Sequence, residues 1–354
     1  MTRVLHIIDA AAPAGALAQL SLLAGPTDET VSVGPPPAAA LRAGPVEAVH
    51  RPMGSPRLAA MRLRRRAEGF DLLHAWSADA LLAGRELSLA AGLPMVASLQ
   101  VAGTKRRAAA VAEAVGPGLL TVTVPTRADR AALLAAGLPP ARARVLPPAA
   151  APPADRAASR RRVRTALGLA DTRRLVAAPD ALTRPAGGDL AAWAYAIVRQ
   201  VRNGAALLFP GEGPAAEHVR SFARTTGYES EVFFTGLRFT TAETLAAADL
   251  AGFFHRRNAG PAGLAAAMAA GRPIAASGTP EIAELAPADK AALLVTPGDP
   301  RQAAAALLAL LEDAGLAARL GQAAARRAAE QFAPTRVRQR LDAVYEETVQ
   351  AKVF

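Results

Sequence analysis

The side chains able to do chemistry in this chain are few, and their kinds narrow the options. There is no cysteine, and there are five histidines: His6, His50, His74, His218 and His255. Without thiols there is no disulfide framework and no thiolate metal site. The histidines are scattered, with no pair at metal-ligand spacing, so the sequence predicts no metal centre. Arginine is the abundant functional group. The 354 residues carry a net charge of +11, and the lysines are only Lys105, Lys290 and Lys352. Clusters stand at Arg62, Arg64, Arg65 and Arg66, at Lys105, Arg106 and Arg107, and at Arg160, Arg161, Arg162 and Arg164. They read either as a surface for an anionic partner (a nucleotide, an anionic lipid surface or nucleic acid) or as solvated helix faces. No aromatic residues are interleaved with them, which argues against a platform for single-stranded nucleic acid and ranks nucleic acid last among partners.

The elements that must position these groups follow from the apolar pattern. A hydrophobic content of 51% excludes disorder, and the length suits two domains, each burying its own core. Aromatic content is 4%, so alanine-rich helices and small-residue packing fill those cores. Strands are expected at "RVLHII" (3–8), "ETVSVG", "DLLHAWS" (71–77), "MVASLQ" (95–100) and "LLTVTVPT" (119–126), with helical patterns between them. The Pro- and Ala-rich "LPPAAAPPADRAAS" (146–159) marks a linker. The pattern restarts with "RRLVAAPD" (173–180), "GAALLFPGEG" (204–213), "EVFFTG", "LAGFFH" and "RPIAAS", again alternating with helices. Such alternation predicts an α/β protein with parallel sheets. The expected domains are residues 1–150 and 160–333, a linker at 151–159 and a terminal helix over 334–354 that returns to the first domain. Ligands of such folds sit at the carboxyl ends of the strands, here in a cleft between the domains. "MTRVLHIIDA" enters an apolar strand at once, which predicts no secretory leader, and no uninterrupted apolar run reaches the roughly 18 residues of a membrane span. A cytoplasmic protein, peripheral at the inner membrane face, is the expectation.

The ordered segments resemble a GT-B glycosyltransferase of the family 4 type, a retaining, nucleotide-sugar-dependent transferase built of two Rossmann-like doubly wound domains. "VLHIIDAAAPAGALAQLSLLA" resembles its opening strand and glycine loop, and "FDLLHAWSADALLAGRELSLAAGLPMVASLQ" its acceptor-domain core. "ALLFPGEGPAAEHVRSFARTTGYESEVFFTGL" and "AAAMAAGRPIAASGTPEIAEL" are similar to its two donor-domain signatures, and "RRAAEQFAPTRVRQRLDAVYEETV" to its terminal helix. The pieces fall in the family's order along nearly the whole chain.

The resemblance implies a donor site and shows where this chain departs from it. The family's phosphate-binding Arg and Lys fall in "APDALTRPAGGD", where Asp180 and Pro185 or Ala186 stand instead and Arg184 is displaced. Its two donor-helix glutamates, with seven residues between them, correspond to Asn258 and Ala266. Gly15, Gly236, Leu237, Gly260 and Gly263 are the implied backbone contacts, and Arg184, His255, Arg256 and Asn258 the implied side-chain contacts to the donor. His74 and Asn258 are the candidates for a catalytic role. For His74 a buried, hydrogen-bonded histidine is the competing reading. For His255 and Arg256 the alternative is strand-end charge. Gln100 stands where the family often has a histidine. The donor is a nucleotide-sugar, with no separate cofactor, and the acceptor is a glycan or lipid-linked molecule. The competing function is a non-catalytic GT-B relative that binds or scaffolds, because the polar groups of the site are replaced while the scaffold signatures remain.

Overall fold

The computed structural model describes residues 2–9, 14–35, 47–49, 56–99, 105–116, 120–256 and 260–351. The chain divides into two units, Met1–Ala149 with Pro334–Phe354, and Ala150–Ala333.

The first unit runs β1 (Val4–Asp9), α1 (Ala14–Leu23), β2 (Glu29–Val33), β3 (Glu47–Val49), α2 (Pro56–Leu63), β4 (Leu72–Ala75), α3 (Ala78–Ala91), β5 (Met95–Ser98), α4 (Lys105–Val115), β6 (Leu120–Val124), α5 (Arg127–Ala135) and β7 (Ala143–Val145). Its sheet has the order β3-β2-β1-β4-β5-β6-β7, all parallel. All six residues of β1 and all four of β4 are buried, which is why these strands are mostly apolar on both faces, with His6, Asp9 and His74 as their buried polar members, rather than alternating. Ser77 caps α3 by accepting from Ala80 N, and Gly92 ends it at φ 65°, the left-handed conformation that glycine adopts without strain.

The second unit runs α6 (Arg156–Ala166), β8 (Arg174–Ala177), α7 (Gly188–Val201), β9 (Ala205–Phe209), α8 (Ala216–Thr225), β10 (Val232–Phe234), α9 (Thr241–Ala247), β11 (Leu250–Phe253), α10 (Pro261–Ala269), β12 (Ile274–Ser277), α11 (Pro280–Leu285), β13 (Leu293–Val295), α12 (Pro300–Glu312) and α13 (Ala314–Gln331). The sheet order is β10-β9-β8-β11-β12-β13, again parallel throughout. The last helix, α14 (Pro334–Gln350), is part of the first unit. Its Val337, Leu341, Val344 and Tyr345 pack with Leu17, Leu20, Leu72 and Trp76.

Two features differ from the sequence reading. Helix α6 starts inside the segment read as linker, because Asp155 is an N-cap whose carboxylate accepts from Ala158 N at 2.8 Å. Within the Arg160–Arg164 cluster, Arg160 and Arg164 are engaged internally. Both donate to Ala247 O, at 2.9 and 3.0 Å, and both approach the Asp249 carboxylate. Those two side chains tie α6 to the end of α9 and are not a surface for an anion.

Candidate functional site

In the second unit the strand order reverses between β8 and β11. The chain leaves β8 towards one side of the sheet and β11 towards the other, so a crevice opens at their carboxyl ends. Glycine lets the loops close around it. Gly187 has φ 72° and starts α7, and a Cβ there would collide with the carbonyl oxygen of Phe254. A Cβ at Gly211 would collide with the carbonyl oxygen of Asp180. Backbone hydrogen bonds lace the same loops, Arg256 N to Pro185 O at 3.1 Å and Leu182 N to Glu212 O at 3.0 Å. A small pocket between them is lined by Ala178, Asp180, Gly187, Phe209, Gly252 and Phe254.

Helix α10 begins at this crevice. Gly260 is its N-cap, Pro261 occupies its first position, and no side chain caps it. Proline has no N–H to leave unsatisfied there, while the N–H groups of Ala262 and Gly263 point out of the first turn without intrahelical partners. Asp180 Oδ1 lies over that turn: a Cβ on Gly260 would come 3.0 Å from it, and one on Gly263 3.3 Å. Asp180 Oδ2 is 2.8 Å from His255 Nε2. The imidazole is fully buried, its ring stacked on Phe253 at 6.3 Å and 22°. Neither ring nitrogen has a hydrogen-bond partner among the described residues. The short Nε2–Oδ2 separation is therefore an off-axis contact and not a hydrogen bond.

The other candidates fall as follows. Arg184 is exposed on the loop after β8, and no ion pair engages it among the described residues. Arg256 donates to Asp189 Oδ2 on the first turn of α7 at 2.5 Å, so its charge is already answered. Gly236, at φ 52°, opens the turn after β10, with Leu237 next in the same turn. A Cβ at Gly236 would collide with Glu212 Oε1. Asn258 lies outside the described residues, as does Gln100. The structure thus gathers Arg184, His255, Arg256, Gly260 and Gly263 around the β8–β11 switch, with Gly236 and Leu237 on a neighbouring loop.

Gly15 and His74 belong to the first unit. Gly15 sits half-buried in the first turn of α1. His74 is fully buried, with Nδ1 2.6 Å from Tyr345 Oη and Nε2 2.8 Å from Ser98 Oγ. Its ring stacks on Trp76 at 4.2 Å. Burial lowers its pKa well below the usual histidine value, with His6 adding to the effect. Both nitrogens are committed, so its place is that of a core histidine paired with side chains, not of a proton shuttle open to a substrate. The sequence reading passed over the central position of Asp180 and the role of Asp189 as partner to Arg256. An acid three residues after a buried strand, "VAAPD", was the available signal.

Residues 182–313 match the family model described as glycosyl transferases group 1. Among solved structures, HepE of Anabaena, in complexes with UDP and glucose and with UDP-glucose, aligns with TM-score 0.85 at 20% identity, over 98% of this chain and 100% of that one. A glycosyltransferase from Rickettsia africae aligns with TM-score 0.77 at 12% identity, over 98% of each chain. Sucrose-phosphate synthase from Thermosynechococcus elongatus gives 0.74 at 16% identity, over 99% of this chain and 100% of that one. At such identities the likeness establishes the fold, and the chain has the GT-B architecture of two Rossmann-like units. No curated protein sequence matches the chain.

Proposed function

We propose that this chain is a glycosyltransferase that takes a sugar from a nucleotide-sugar and passes it, with retention, to a glycan or lipid-linked acceptor. The observation that carries the reading is the uncapped start of α10 at the switch point of the second unit. Its backbone N–H groups and the helix dipole favour a diphosphate, and they would stabilise the charge that develops on that leaving group. The match of this same unit to the group 1 transferases and the UDP complexes of HepE support the choice of donor class. Gly236, Leu237, Gly260 and Gly263 supply close backbone approach in this reading, and Arg184 is the exposed guanidinium that meets the phosphates.

Calorimetric titration with UDP, GDP, ADP and their sugar conjugates tests the donor site. Micromolar binding of one nucleotide is expected, and its absence for all of them at millimolar ligand overturns the proposal. Arg184→Ala should weaken that binding at least tenfold, about 1.4 kcal/mol. Unchanged affinity would remove Arg184 from the site.

Among the described residues no helix is long and apolar enough to cross a membrane. We place the acceptor at an anionic lipid surface reached through the first unit. On α2, Leu58 and Met61 are 45% and 72% exposed, and Arg62, Arg64 and Arg65 are exposed beside them. Exposed apolar side chains flanked by cations suit an interfacial contact, at about 1 kcal/mol for each basic residue near the surface. Cosedimentation with phosphatidylserine-containing vesicles should fall at least tenfold in an Arg62→Glu, Arg65→Glu variant. Equal binding of variant and parent excludes this face.

A further inference from the structure

The start of α10 already has an anion above it, and that anion belongs to the protein. Asp180 Oδ1 sits over the first turn, where the dipole and free N–H groups draw negative charge. Beside it, His255 is buried to 1% exposure with both ring nitrogens lacking a hydrogen bond, and with Nε2 2.8 Å from the carboxylate. Buried polar atoms in folded proteins are nearly always paired, so an imidazole without a hydrogen bond, set against a carboxylate that lines the crevice, marks a pair with room for one more proton.

A diphosphate entering this seat brings negative charge against the Asp180 carboxylate. Like charges within a few ångströms cannot both stay ionised without cost, and a proton resolves the conflict. Beyond Arg184, which the donor reading gives to the phosphates, the converging loops offer little other compensation. Arg184, on the loop of Asp180 itself, is exposed. Glu212, after β9, adds negative charge. Arg256, after β11, is neutralised by Asp189 of α7. The first turn of α10 carries no charged residue. Arg257 lies outside the described residues.

We infer that the Asp180–His255 pair makes the diphosphate seat proton-coupled: the pair takes up a proton from solvent as the diphosphate of a nucleotide-sugar binds. This rests on the donor reading above. No covalent bond forms or breaks. The bound state holds the added proton on the pair, so its net charge rises by one and the Asp180 carboxylate repels the phosphates less. Affinity then rises as pH falls, because the bound state holds one proton more than the free protein.

The test is calorimetry with UDP-glucose, ADP-glucose and GDP-mannose, whose phosphates stay ionised near neutrality. Each titration is run at pH 6 and pH 8 in two buffers of different ionisation enthalpy. For the nucleotide-sugar that binds, the parent protein should take up close to one proton and bind up to about tenfold tighter per pH unit towards acid. Asp180→Asn should bind at least tenfold tighter than the parent at pH 8 and lose most of the proton uptake. His255→Gln should flatten the pH dependence. Binding without proton uptake, with Asp180→Asn unchanged or weaker at both pH values, overturns the inference and leaves the donor reading standing. No binding of any of the three by either the parent or Asp180→Asn overturns the donor reading, and the inference with it.

Discussion

Replacing Arg164 with Ala is expected to destabilise the second unit by about 3–5 kcal/mol, the scale for breaking a buried, hydrogen-bonded charge network from one side. Arg164 is 1% exposed at the end of α6. Its guanidinium donates to Ala247 O at 3.0 Å, to Ala170 O at 2.8 Å and to Arg173 O, and contacts Asp249 Oδ2 at 3.5 Å. Asp249 Oδ2 in turn accepts from Leu175 N at 2.8 Å, at the start of β8. One planar group therefore satisfies the carbonyls that end α9 and those of the turn entering β8. Burial lowers the arginine pKa and Arg160 adds to that, but Asp249 and Asp171 oppose it. Truncation would take the side-chain donor from Arg173 O, leave Ala247 O with Arg160 alone and Ala170 O with Arg173 N alone, and leave Asp249 with Arg160 and a more distant Arg174. Arg164→Lys should recover only part of the loss, because one ammonium cannot reach the separate acceptors that the two guanidinium NH2 groups hold. Urea unfolding of the three proteins decides this. A loss below about 1 kcal/mol in Arg164→Ala would mean that water replaces the guanidinium without penalty.

The same arginine shows where the sequence stops being informative. Arg160 and Arg164 are one helical turn apart, so they share a face, and that much was readable from spacing. Whether the face meets water or a set of carbonyl ends depends on α9 and β11, more than eighty residues later. Strands were legible where they are buried on both sides, as in β1, β4, β9 and β11, because burial on both faces favours apolar residues at successive positions. β3, β7 and β13 have three residues each and offer no periodicity to read. At the candidate site the glycines were legible by type, since close backbone approach admits little else. The direction of Asp180 was not. Its residue type said only that a carboxylate stands where phosphate-binding charge is expected, and its position over α10 is set by how the loop after β8 lies against Phe254. His74 carried two readings in sequence because a strand-end histidine looks the same whether its neighbours are substrate or Tyr345.

The first unit should lose stability steeply as pH falls below about 6.5. His6 and His74 stand opposite each other in the register of β1 and β4, their rings 5.5 Å apart. Trp76 Nε1 donates to His6 Nδ1 at 3.1 Å, so the remaining His6 proton is on Nε2, towards Asp28 Oδ2 at 3.4 Å. Burial lowers the pKa of both histidines. For His6, Asp28 works against that lowering and Arg338 with it. For His74, His6 deepens it and Asp28 opposes it. Tyr345, on α14 beside His74, is held well above its usual pKa by burial and stays neutral. A depressed pKa in the folded state means that the unfolded chain takes up protons first. The contribution of the neutral pair is therefore complete above about 6.5, the unfolded value, and shrinks as pH falls towards the folded values. Two such groups give a slope of up to about 2.7 kcal/mol per pH unit. Asp28 extends the loss at lower pH. Burial raises its pKa, but the hydrogen bonds from His6, Gly25 and Val4 outweigh this and hold it at about 2, so its contribution is full above about 4 and lost as pH approaches 2. Trp76 stacks on His74 and so reports this unit by fluorescence once Trp193 is replaced with Phe. Urea midpoints from pH 8 to pH 5 should be level above 7 and fall below 6.5, with about half that slope in His74→Gln. Midpoints that stay level down to pH 5.5 would show that the pair is protonated without opening the core, against the burial that both rings share.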